Sequence, residues 1–417
     1  MRQRFSGLSL IIGSTVIAGV AGYLVTWLVY RQIGPAAYAV FAVFWAALYL
    51  IIGGLSGIQQ EITRATFSIE YGSRKRPSRA RNFAGLAAVL VVATTAVTAP
   101  LWATVVFPGF GWSLVWPLAV GSSAYVLVAT LCGSLYGVSQ WRSLALMIAT
   151  DGVLRFVMLA IALALTRDLV VLAWVVALPF PLTIMLLWPV IRGRFVGRSD
   201  LDVGYRALTW NVSRTVFASV STAVLVSGFP LLIGLTARGE NPALIGELIF
   251  TITLTRAPLI ITAMSLQSYF VVHFRDHPDT WWKSFLSVQG VVVVMAAVLA
   301  MLGWWLGPAV FTWVSGARTV LDGFLIMILV ASSALVGALC VSAPAVLARS
   351  AHSVYSLGWI TAAAVTTIVM ASPMDFLPRI SVALVLGPVA GLVVHVTWLL
   401  HDRNQAADNV SLGRVGE

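Results

Sequence analysis

Charge is scarce in this chain. Asp, Glu, Lys and Arg make up 10% of the 417 residues, against about 25% in soluble domains. With 59% hydrophobic residues and a mean hydropathy of +0.94, a water-soluble globule is excluded. The two cysteines, Cys132 and Cys340, fall inside apolar stretches and imply no disulfide framework. Lysine is nearly absent beside abundant Arg, Ala and Val, a composition that points to a high-GC genome and a bacterial plasma membrane. The five histidines, His273, His277, His352, His395 and His401, lack metal-ligand spacing. They sit at or near the inner ends of apolar runs and read as contacts to lipid headgroups. Membrane glycosyltransferases and polymerases need acids, histidines or metal ligands displayed at an aqueous face, and no such set is present. Neither a metal nor a cofactor is therefore expected.

What the chain has instead is length of apolar run. At roughly 20 residues per crossing, spans are expected at 8–30, 36–62, 83–106, 112–138, 141–165 and 169–191, then at 207–235, 243–273, 284–306, 321–347, 354–371 and 380–400. The expectation is an all-α, polytopic membrane protein of about 12 transmembrane helices. It divides into an N-terminal six-helix bundle (1–191), a basic linker (192–206), a C-terminal six-helix bundle (207–403) and a tail (404–417). Arg2 and Arg4 precede an apolar stretch too long for a signal peptide, so the first span is read as uncleaved.

Basic residues are retained on the cytoplasmic side. With both termini cytoplasmic, most of the 26 Lys and Arg fall on inner segments, chiefly Ser73 to Arg81 and Arg192 to Arg206. Arg31, Arg167, Arg238, Arg318 and Arg379 are left outside, and Arg155, Arg214 and Arg256 within spans. The net charge of +11 therefore reports topology and contact with anionic membrane lipids. It does not mark a nucleic-acid binder, because no soluble domain carries it.

The chain also reads as doubled. Pro35 precedes Gln60, and Pro242 precedes Gln267, by the same interval, while Leu131-Cys132-Gly133-Ser134 recurs as Leu339-Cys340-Val341-Ser342. Two six-span halves starting on the same side form a parallel repeat, with a transport site expected at their interface.

Polar residues inside spans carry the functional signal. Asp151 and Arg155 are four apart on one helical face and can neutralise each other. Glu61 and Arg64, three apart at the inner end of span two, can also pair, with Gln60 one turn from Arg64. Arg214 lies about two turns inside span seven, within reach of the interface by snorkelling. Asn211-Val212-Ser213 matches a glycosylation acceptor but falls on the inner side. Arg256 is the costly one, because it lies near mid-membrane in LIFTITLTRAPLIITAMSL with Glu247 almost opposite in phase. Gln267 shares nearly the same face as Arg256, and Pro258 favours a local kink. In span two, GGLSG (Gly53 to Gly57) carries the small-residue spacing that permits close helix contact.

RQIGPAAYAVFAVFWAALYLIIGGLSGIQQEITR, followed by a basic inner loop, resembles the first two spans of polysaccharide flippases in the multidrug/oligosaccharidyl-lipid/polysaccharide (MOP) exporter superfamily. LYGVSQWRSLALMIATDGVLRF (Leu135 to Phe156) is similar to their fourth-to-fifth span junction. The resemblance implies a V-shaped pair of bundles that flips polyprenyl-phosphate-linked or polyprenyl-diphosphate-linked saccharides to the outer leaflet by alternating access. It places Arg64, Arg214 and Arg256 on a phosphate-binding cavity, with Gln60 and Gln267 as donors to sugar hydroxyls. Two departures stand out: the first span has no mid-membrane arginine, and no extra helices follow span twelve. A cation-coupled drug or metabolite exporter is the second reading, with Glu61, Asp151 and Glu247 as ion sites. The third is a non-transporting scaffold that docks envelope glycan-synthesis enzymes on its basic inner loops.

Overall fold

The computed structural model describes residues 2–69, 78–197, 199–237, 239–277, 280–316 and 321–413. Side chains of 2–8, 194–195, 257–269, 272 and 406–413 lie outside that description. The basic loop around Ser73 to Arg76 and the last residues of the tail are therefore outside it as well.

Thirteen α-helices are found among the described residues, in the order α1 (Arg2–Ala65), α2 (Arg79–Val106), α3 (Trp112–Gly137), α4 (Trp141–Leu165), α5 (Leu169–Ala177), α6 (Pro179–Phe195), α7 (Tyr205–Val226), α8 (Phe229–Thr236), α9 (Pro242–Asp276), α10 (Trp281–Ser315), α11 (Gly323–Ala348), α12 (His352–Met370) and α13 (Phe376–Gly413). Local chemistry sets several starts. The Ser78 hydroxyl accepts from the Arg81 N–H at the head of α2, Asp168 accepts from Val170 and Val171 at α5, and Asp322 accepts from Leu325 at α11. Each satisfies amide donors that a helix N-terminus leaves open.

Helix α1 is two spans joined without a loop. Its break is Gly34, whose φ of 77° and ψ of 167° only glycine adopts cheaply, followed by Pro35. The expected spans one and two are its two arms. Span six is divided into α5 and α6 at Leu178, and span seven into α7 and α8, which meet at 69° across Ser227 and Gly228. Counting the two arms of α1 separately and each divided span once, the described residues form about twelve crossings of a ~30 Å core. The lipid-facing surface is correspondingly apolar: Leu86, Val97 and Leu101 on α2 and Trp305 and Trp313 on α10 are all more than 70% exposed.

One element is not helical. β1 (Thr66–Ser68), directly after α1, pairs antiparallel with β2 (Ser199–Leu201), with Thr66 opposite Leu201. The Asp202 N–H continues the ladder onto the Ala65 carbonyl at 2.9 Å. The linker after α6 is thereby stitched to the end of α1 that carries Arg64.

The chain forms two compact units, Met1–Gly246 and Glu247–Glu417. In the first, α1 packs against α3, α4 and α7. Ile58, Ile62, Phe83, Val126, Leu208 and Val212 form one cluster that ties α1, α2, α3 and α7 together. Here the GGLSG motif is a contact surface. A Cβ on Gly53 would lie 2.6 Å from the Ala223 Cβ and one on Gly54 2.9 Å from Val220, while one on Gly57 would strike the backbone of Thr215 and Val216. In the second unit, α11 packs on α10 and α13, and α12 on α13, around Phe274, Trp281, Phe285, Val341 and Leu399.

One turn recurs in the backbone. Among the described residues, Ser139 and Ser350 are the two non-glycine residues with positive φ, at 57° and 60°, and each sits in the turn that follows α3 or α11. In both turns an amide reaches back five residues, from Gln140 to the Leu135 carbonyl and from Ala351 to that of Val346. α3 and α11 are each 26 residues long. Aligning their ends sets the LCGS and LCVS matches about one helical turn out of register, so that match is not the equivalence it suggests.

Candidate functional site

The first cluster lies where the inner end of α1 meets α7. Glu61 is 3% exposed, and its carboxylate accepts from both Nε (2.9 Å) and NH2 (2.6 Å) of Arg64. The Asn211 side-chain amide on α7 donates to the same carboxylate at 2.9 Å. Arg64 is half exposed, and its NH1 faces the Asp202 carboxylate at 3.9 Å. One turn along, exposed Gln60 donates to the Ser219 hydroxyl at 3.3 Å. The Thr215 hydroxyl is 2.9 Å from the Gly57 carbonyl. Gln60 and Glu61 therefore meet α7 and Arg64 the linker before it, but Arg214 on α7 is exposed and has no ion pair among the described residues.

The second cluster lies among α1, α4, α5 and α6. Arg155, 6% exposed, pairs with Asp151 at 2.9 Å and donates to the Tyr49 hydroxyl at 2.7 Å and the Val176 carbonyl at 3.4 Å. Its guanidinium lies 4.6 Å from the centre of the Phe180 ring. Asp151 and Arg155 thus satisfy each other, as a buried pair must. The sequence showed the pair through its four-residue spacing. Tyr49 and Phe180, far away in the chain, had no signal in it.

In the second unit, Arg256 on α9 is 6% exposed and Glu247, one to two turns from the start of that helix, is 8% exposed. Arg256 stands fourteen residues from Pro242 and twenty from Asp276, about 21 and 30 Å along the axis. Thr251 and Thr255 turn their hydroxyls onto the α9 backbone, so they do not compete for the guanidinium. The Gln267 side chain lies outside the described residues.

His395 corrects an expectation. It is fully buried on α13 and contacts no headgroup: Nδ1 is 2.8 Å from the Ser342 hydroxyl on α11, and Nε2 is 3.3 Å from the Tyr355 carbonyl on α12. Gly358 leaves the space that the ring occupies. His352 and His401 are exposed and His273 is half exposed; His352 and His273 lie near helix ends, His401 lies within α13, and His277 is just beyond the end of α9. Hydropathy alone cannot tell His395 from these, because its partners come from two other helices.

No protein-family model matches the chain. It is 29% identical over 392 residues to the uncharacterized proteins Mb3654 of Mycobacterium bovis and Rv3630 of Mycobacterium tuberculosis strain H37Rv, covering 93% of this chain and 90% of each relative. Among solved structures, the inward-facing conformation of a multidrug resistance MATE family transporter of the MOP superfamily matches with a TM-score of 0.68 at 15% identity, over 94% of this chain and 96% of that one. The chain has the MATE-type fold. An outward-facing MATE transporter matches at 0.61 and 14% identity, over 94% of both chains. A MOP superfamily transporter from Pyrococcus furiosus, described as having a binding pocket of reverse polarity, matches at 0.62 and 16% identity, again over 94% of both. The multi-pass helical architecture read from hydropathy and the MATE-type fold agree.

Proposed function

We propose that this chain is a flippase. It carries a saccharide linked to a polyprenyl phosphate or diphosphate from the inner to the outer leaflet of a bacterial plasma membrane, by alternating access. The observation that carries this reading is Arg256, buried near the middle of a membrane helix. A guanidinium in that position costs about 2.5 to 3.5 kcal/mol on insertion scales, and such residues usually line a substrate path. Arg keeps its charge and presents a planar fork suited to phosphate oxygens. In the first unit, Arg214 and Arg64 are further cations for phosphate oxygens and Gln60 a donor to sugar hydroxyls, while the isoprenoid stays in the hydrocarbon.

The acids support an anionic substrate over a cationic one. Asp151 and Glu61 are each held by an arginine on their own helix, which leaves less negative charge for a coupling ion. A cation-coupled exporter remains the second reading, because multidrug transporters share this fold. It relies on Glu247 together with Glu61 and Asp151, and predicts efflux that depends on an ion gradient and collapses in Asp151→Asn.

The test is reconstitution of the purified chain into vesicles with a labelled polyprenyl-diphosphate saccharide, following exposure of the headgroup on the opposite face. Chain-dependent exposure supports the flippase. Rates equal to protein-free vesicles, together with gradient-driven efflux of a small cation, support the exporter.

A further inference from the structure

Resting on the flippase reading, we propose that Arg64, Glu61, Asn211 and Asp202 form a latch between α1 and α7 that a phosphate group opens. Arg64 stands in the last turn of α1, half exposed and so within reach of an anionic group in the surrounding water. Its guanidinium has two edges able to grip phosphate through paired N–H donors. A carboxylate guards each edge. The Nε and NH2 edge holds both oxygens of Glu61, and NH1 faces Asp202.

The Glu61 carboxylate also holds structure, and Asp202 does so through its backbone. Glu61 accepts from Asn211, which ties α1 to α7. Asp202 continues the β1–β2 ladder through its own N–H, which ties the linker to Ala65. A phosphate that takes either edge of Arg64 displaces one of these anions, because two like charges on one donor pair repel. On the first edge, Glu61 is left buried at 3% exposure without its cation, and a lone buried carboxylate is costly. It regains a low-energy state by reaching water, which requires the α1–α7 seam to part. The seam is tight, with Gly57 packed on the backbone of Thr215 and Val216, so it opens as a unit. Substrate arrival and release of α7 are thus one event, and Glu61 is a positioning residue that acts through Arg64.

The ligand chemistry is a phosphodiester or a diphosphate, supplied by the carrier of the saccharide or by anionic phospholipids. The test uses the full chain in phosphatidylcholine nanodiscs, with spin labels at Leu86 on α2 and Phe217 on α7, both lipid-exposed. Double electron–electron resonance is recorded with farnesyl diphosphate, with inorganic diphosphate, with sulfate as an anion control, and in phosphatidylglycerol nanodiscs without additive. The expected result is a several-fold rise in the population of longer separations with farnesyl diphosphate and not with sulfate. That response disappears in Arg64→Ala, and also in Glu61→Gln, which leaves no buried charge to drive the seam apart. A shift in phosphatidylglycerol alone assigns the operating phosphate to the bilayer rather than to the carrier. Asn211→Ala lengthens the separation without ligand. No shift with any phosphate, or none in Asn211→Ala, overturns the latch. Headgroup translocation measured on the same labelled protein separates the two ideas: translocation without a shift leaves the flippase standing and removes the latch, whereas a shift without translocation does the reverse.

Discussion

Arg155 and Arg256 are both arginines inside spans, and they differ in what surrounds them. Arg155 is enclosed by an acid four residues before it, a tyrosine hydroxyl, a backbone carbonyl and an aromatic face. That set leaves little of its hydrogen-bonding capacity for a substrate, which marks it as structural. Removing one partner of such a buried pair typically costs about 3–5 kcal/mol, while replacing both with apolar residues of similar size is near neutral. Arg155→Met should therefore lower the thermal unfolding temperature of the detergent-solubilised protein sharply, and Asp151→Leu combined with Arg155→Met should recover most of the loss. If the double variant is as unstable as the single one, the pair contributes more than mutual neutralisation. Spacing alone revealed this pair. The environments of His395 and Asn211 were not legible, because each depends on helices distant in the chain.

Among the elements, α1 does the most to shape the first unit, packing against α3, α4 and α7. The GGLSG motif was readable as a close-packing surface, but its partner was not, since any helix with small residues would satisfy the pattern. The structure supplies Ala223, Val220 and the Thr215–Val216 backbone. Overpacking a tight interface costs about 1–3 kcal/mol, so Gly57→Ala should destabilise the protein by that amount in thermal unfolding. Gly22→Ala, where a Cβ meets nothing within 4 Å, should stay within about 0.5 kcal/mol. Equal effects would mean that the seam yields. The break between α7 and α8 and the three-residue ribbon of β1 and β2 escaped the sequence reading for related reasons. The run Ser227-Gly228-Phe229-Pro230 interrupts a stretch whose hydropathy never falls, and a strand pair of three residues has no period to detect.

At the scale of the whole molecule, the span pattern was legible because hydrocarbon thickness imposes a length on every helix. The specific match offered for the repeat lies about a turn out of register with the recurring turn at Ser139 and Ser350. Substrate class is the least legible property, since one MATE-type fold carries multidrug transporters and a relative with reversed pocket polarity. That leaves Arg256 as the residue on which the anionic reading turns. In proteoliposomes supplied with a labelled polyprenyl-diphosphate saccharide, headgroup translocation should fall at least ~10-fold in Arg256→Ala, equivalent to about 1.4 kcal/mol or more of lost stabilisation, with the folded protein recovered at the wild-type level. Translocation by Arg256→Ala at the wild-type rate would contradict it.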